Sequence, residues 1–183
     1  MFDLIGTRSL ASKGLGSYQM IQMHQSAVTK INHGLPLHAH GYVWNDSALL
    51  LSYETKPAAR RSKVLAELNE FKTWLEIQCE AKLYAISVKG MSFPSNELGS
   101  SVFEDQTHHQ PRAVVLKASS WAMANCFEIE KSLSKHRADW YIDERITNGI
   151  NLGVPFAQEK VSLLPKKIKR TIHMFKGELT INE

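Results

Sequence analysis

A chain of 183 residues, 43% hydrophobic and 22% charged, has the size and composition of one packed domain. Those figures exclude a disordered chain, a collagen-like fibre and a coiled-coil rod. Lys and Arg outnumber Asp and Glu by 22 to 18, a net charge of +4 that suits a polyanionic partner without requiring one.

No run of about 18 apolar residues is present, so no membrane span is expected. The start, Met1 to Gly6, lacks the basic and long apolar stretches of a signal peptide, and a cytoplasmic location is expected. Cys79 and Cys126 have no CxxC partner and read as small buried hydrophobes, with neither a disulfide framework nor a cysteine zinc site.

Residues 1–46 are rich in Gly, Ser, Asn, Gln and His, with turn signals at Gly14, Gly16 and Gly34. They read as an irregular extension with at most a short helix over 18–31, and 47–177 as the folded core of a single domain spanning 1–183. Residues 48–53 make a β-type run. Thr55 stands where a helix N-cap belongs and Pro57 in the first turn. Val64, Leu68, Phe71, Leu75 and Cys79 then form one stripe, predicting a helix over 56–82 with Glu67, Glu70, Lys72, Glu76 and Glu80 mostly off it.

A second strand is expected over 83–88, a long loop over 92–111 and a third strand over 112–117. Ser119 or Ser120 can cap a helix to about 135 that carries Ala122, Cys126, Ile129 and Leu133. A further helix is expected over 138–148, stopped by a left-handed Gly149. Beyond Pro155 the pattern reads as helix broken at Pro165, with Ile168, Ile172 and Phe175 as a stripe over 165–176 ended by Gly177. The class is α+β.

Two cationic runs stand out. Lys56, Arg60, Arg61 and Lys63 have no carboxylate between Glu54 and Glu67, reversing the usual charge at a helix start and favouring an anion there. Lys160, Lys166, Lys167, Lys169, Arg170 and Lys176 are unbroken by acid between Glu159 and Glu178. On a helix, Lys166, Lys167, Lys169 and Arg170 would face solvent and could meet phosphates. Arg60 and Arg61 are the candidates for bidentate guanine contact.

The order strand 112–117, helix to 135 and helix 138–148 has the scale of a ribbon–helix–helix unit, in which strands of two chains pair and enter the major groove. Arg112 and Lys117 flank that strand as third candidates. The competing reading is a buried strand in an α+β domain.

His33, His38 and His40 are clustered, and His108 and His109 lie in the long loop, without the spacing of a metal site. No GxSxG, Walker, GxGxxG or HExxH pattern is present, so no catalytic residue, cofactor or metal is assigned. Trp44, Trp74, Trp121, Trp140 and Tyr141 suit core packing or an interface, or base stacking if exposed.

The stretch from Leu50 to Arg61 resembles the strand and Thr-Lys/Arg-x-Ala-x-Arg segment near the start of AcaB-like proteins, transcriptional regulators of conjugative plasmids and integrating elements. Thr55, Lys56, Ala58 and Arg60 fit that pattern. The resemblance implies a dimeric DNA-binding protein of ribbon–helix–helix type that controls transfer genes. The expectation is therefore a homodimer that binds double-stranded DNA through basic helical surfaces. The alternatives are an RNA-binding protein, a metal-dependent nuclease using His108, His109, Glu104 and Asp105, and a module that meets an acidic protein.

Overall fold

The computed structural model describes residues 1–5, 16–33, 39–44, 46–52, 58–90, 121–133, 138–164 and 166–182. Its strands are β1 (Phe2–Leu4), β2 (Ala39–Trp44), β3 (Ser47–Ser52), β4 (Leu83–Ser87), β5 (Trp140–Asp143), β6 (Asn151–Leu152), β7 (Ala157–Leu163), β8 (Ile168–Phe175) and β9 (Ile181–Asn182). The helices are α1 (Gly16–His33), α2 (Ala58–Cys79), α3 (Trp121–Ser132) and the single turn α4 (Glu144–Thr147). The class is α+β, as composition and pattern predict.

Seven strands form one mixed sheet in the order β2-β3-β1-β4-β5-β8-β7, and β6 pairs with β9 apart from it. Only β4 and β5 run parallel; the other neighbours are antiparallel. Alternation along each strand divides the core in two. Phe2, Leu4, Ala48, Leu83, Ala85, Trp140, Ile142 and Phe175 face α1 and α2, where they meet Met23, Ala27, Leu65, Phe71, Leu75 and Cys79. Leu49, Tyr84, Ile86, Tyr141, Val161, Leu163, Ile172 and Met174 face α3, where they meet Cys126 and Ile129.

The aromatic centre lies under α2. Phe2 meets Phe71 edge-on at 5.2 Å between centroids, and Trp140 stacks on Phe175 at 6.1 Å. Gly90 lies against the start of α3: a Cβ there would stand 2.6 Å from the Ala122 Cα, so a side chain would push the helix off the sheet. Burial lifts the Cys79 thiol to about 11 and raises that of Cys126, in keeping with their reading as buried hydrophobes.

Several expectations are corrected. The described parts of 1–46 are no irregular extension: β1 lies inside the sheet between β3 and β4, and the helix expected over 18–31 is present as α1 and packs on that sheet. The helix expected over 138–148 is strand β5, buried throughout, followed by one turn, so this pair of elements does not make the helix–helix half of a ribbon–helix–helix unit. A strand covered on both faces loses the alternation that would announce it. Gly149 does take a positive φ of 77°, after that turn.

The helical stretch expected beyond Pro155 is the hairpin β7–β8, with β8 in place of the helix over 165–176. Ile168, Ile172 and Phe175 fall at helical steps by coincidence. The operative spacing is the alternation of Ile168, Arg170, Ile172 and Met174. Lys72 is also misplaced by the helical wheel: it is 6% exposed, on the packed side of α2. Its Nζ lies 2.9 Å from Glu76, whose same oxygen accepts from the Leu83 amide. That pairing is the condition for burying an ammonium. The strand expected over 112–117 and the loop over 92–111 lie outside the described residues.

Candidate nucleic-acid interface

Hairpin β7–β8 closes one edge of the sheet, and its position is fixed from α3. The side chain of Asn125, 2% exposed, donates to the Leu164 carbonyl at 3.2 Å and accepts from the Leu164 amide at 2.7 Å. One amide thus satisfies both backbone groups of the residue where β7 enters the turn. Val161 and Leu163 anchor the α3 side of the ribbon.

Register sorts the cations. Lys160 pairs with Thr171 and Ser162 with Lys169, so Lys160 and Lys169 share the ribbon face turned from α3, one diagonal step apart. Lys166 and Lys167 occupy the turn, and Lys167 holds a left-handed φ of 50°. Lys160, Lys166, Lys167, Lys169 and Lys176 are exposed and Arg170 is half-buried. Residues 157–176 carry six cations and one carboxylate, a net +5 against +4 for the whole chain, so the remainder sums to −1.

At the base of the same ribbon, Phe156 stacks on His173 at 4.4 Å. The Thr147 hydroxyl donates to the Glu144 carbonyl at 3.1 Å and lies 3.0 Å from His173 Nδ1, while the Gln158 amide nitrogen lies 3.4 Å from Nε2. This network assigns a neutral imidazole with its proton on Nδ1. Burial lowers the His173 pKa, against the opposing pull of Glu144 and Asp143. The Glu144 carboxyl is held below its usual range, first by the Thr171 hydroxyl and also by Arg170 and His173.

The run at the start of α2 has a different setting. Arg61 donates from Nε to the Ile146 carbonyl at 3.1 Å and from its guanidinium to the Asn148 carbonyl at 2.7 Å, tying α2 to the end of α4. Arg60 is exposed, and Lys63 is exposed with its Nζ 4.0 Å from Glu67. Lys56, Arg112 and Lys117 lie outside the described residues, as do Glu104, Asp105, His108, His109 and His38. His33 is exposed at the end of α1, and His40 lies in β2.

A second polar cluster lies under α3. Asp3 of β1 accepts from the Ser47 hydroxyl, and the Tyr84 phenol oxygen is 2.6 Å from Asp3 Oδ2 and 2.7 Å from Glu130 Oε1. Burial raises the Asp3 pKa against the lowering effect of these hydroxyls, and burial with the two carboxylates raises that of Tyr84. Sequence reasoning missed this cluster because its members come from distant segments. The available signal was Asp3 itself, a carboxylate inside the apolar run Met1-Phe2-Asp3-Leu4-Ile5. Asn125 gave no signal.

A further buried carboxylate, Asp143, is fully enclosed and bound by Arg145, whose amide and Nε reach Oδ1 at 3.0 Å. Among the described residues, no group of three or more His, Cys, Asp or Glu side chains is placed to hold a metal ion. Among them, too, no helix is long and apolar enough to cross a membrane. Compared with known proteins, the chain matches no family model, no curated protein and no solved structure.

Proposed function

We propose that this chain is a DNA-binding regulator that docks a duplex through the β7–β8 hairpin. The observation that carries the reading is the concentration of the molecule's net positive charge on the hairpin that forms one edge of the sheet. A ribbon of two strands is one of the two elements that fit the major groove, about 12 Å wide. Lys160, Lys166, Lys167 and Lys169 neutralise phosphates, while Arg170, half-buried on the ribbon face that Val161 shares, is the less accessible cation.

This reading keeps the ribbon in the groove and changes which ribbon it is. A ribbon–helix–helix unit does not enter it, because β5 stands where the second helix would be. Control of transfer genes of a conjugative element rests on the resemblance of residues 50–61 alone. As a homodimer the protein would present two hairpins to half-sites about 34 Å apart.

The test is fluorescence anisotropy of a labelled 30-base-pair duplex across a salt series. Lys166→Ala/Lys167→Ala/Lys169→Ala should flatten the log–log salt slope by about 2.7 and weaken binding roughly 10²- to 10³-fold at 0.1 M salt. Equal affinity and slope in the variant would end the hairpin assignment. Preferential competition by structured RNA would transfer the site to an RNA ligand. Cleavage of the duplex with magnesium or manganese, lost on His108→Ala, would favour the nuclease.

A further inference from the structure

We infer that Asp3, Tyr84 and Glu130 share one retained proton, held on Asp3, so that the contact between α3 and the sheet is linked to pH. The argument is a count of donors. Both oxygen separations at Tyr84, 2.6 Å and 2.7 Å, are hydrogen-bond lengths. A phenol has one proton to give and an ionised carboxylate has none. With both carboxylates ionised, one contact would set lone pair against lone pair inside the fold.

The count closes when one carboxyl is protonated. Asp3 is 9% exposed and Glu130 is only half-buried, so the neutral acid belongs on Asp3 and the charge nearer solvent. The chain of donors then runs from the Ser47 hydroxyl to Asp3 Oδ1, from Asp3 Oδ2 to the Tyr84 oxygen, and from the Tyr84 hydroxyl to Glu130. Two of the groups facing Asp3 from the packed elements favour this and one acts against it. Asp46 in the β2–β3 turn and Glu130 on α3 are both negative, and the Met1 amino group, which donates to the Ile86 carbonyl at 2.7 Å, is the facing cation. Cys126 on α3 lies beside that amino group. The proton is a property of the coupled cluster as a whole.

The sign follows from linkage. A carboxyl whose pKa is raised by folding contributes its full stability below the unfolded value, about 3.9, and loses it as pH rises through the folded value. In that window unfolding releases one proton, and the unfolding constant from this cluster rises tenfold per pH unit. Loss of the proton sets two carboxylates against one phenol and loosens α3 from β1 and β4.

Urea unfolding between pH 4 and 9 compares wild type with Asp3→Asn, whose amide is a fixed neutral donor to Tyr84. The ratio of the wild-type unfolding constant to that of Asp3→Asn should rise tenfold per pH unit within the window. Parallel curves would overturn the inference, as would loss of this dependence in Glu130→Gln with its retention in Asp3→Asn. Isotope-edited infrared spectroscopy of the folded wild type serves if the variants unfold. A protonated aspartic acid carbonyl band at pH 6 is expected, and its absence is the contrary result.

Discussion

The start of α2 and the tip of the β7–β8 hairpin are alike as sequence, each an acid-free run of lysine and arginine, and they differ as surfaces. At α2 the guanidinium of Arg61 is engaged by the carbonyls of Ile146 and Asn148. At the hairpin four lysines are exposed on a ribbon whose Val161, Leu163, Ile172 and Met174 are held beneath α3. A run of positive charge specifies only that cations are present. Whether they are available to a ligand depends on which acceptors the fold brings to them.

Three variants would sharpen or break that contrast. The largest effect is expected from Asn125→Ala, which leaves the Leu164 amide and carbonyl without their partner. Stability should fall by about 1–3 kcal/mol in urea unfolding. Hydrogen exchange at Leu164 and its neighbours should accelerate, and duplex affinity should fall with the loss of a fixed hairpin. A variant with unchanged exchange would show that the ribbon is held by Val161 and Leu163 alone.

Arg61→Ala comes next, at about 1–2 kcal/mol of stability, because its bonds to two carbonyls are partly exposed. Its affinity for a random duplex should change less than tenfold. A loss as large as that of the triple lysine variant would move the interface to α2. The smallest effect belongs to Lys167→Gly, which relieves a left-handed backbone position. The melting temperature should rise, consistent with about 1 kcal/mol, while duplex affinity falls several-fold from loss of one cation. A drop in both would mean that the Lys167 side chain also supports the turn.

Helices α2 and α3 showed repeats that matched their period, and strands β3 and β4 were legible as short apolar runs, although β4 is covered on both faces. Strand β5 was illegible because the charged residues Asp143, Glu144 and Arg145 suggest an exposed helix, although Trp140, Tyr141, Ile142 and Asp143 are all buried. Asp143 is tolerated there because Arg145 binds it, and a sequence does not display that closure. Strand β1 is only three residues long, too short for any period.

The candidate site was half legible. Lys166, Lys167, Lys169 and Arg170 were visible as charge, but their element was misread because Ile168, Ile172 and Phe175 fit a helix by chance. The Asn125 clasp and the Asp3–Tyr84–Glu130 cluster join residues 39 to 81 positions apart in the chain. Such contacts follow from the order of strands in the sheet, which local pattern does not encode.

The place of β1 sets an order of events during synthesis. Phe2 lies opposite Ala48 on one side and Ala85 on the other, partners 46 and 83 residues further along the chain. Strand β1 is therefore made well before either of its neighbours. At about 5–20 residues per second, its apolar side chains wait several seconds or more for the second neighbour to be made. Until β3 is made both edges of β1 are open, and until β4 is made one of them still is, which leaves a short apolar strand in need of shelter before the sheet closes around it.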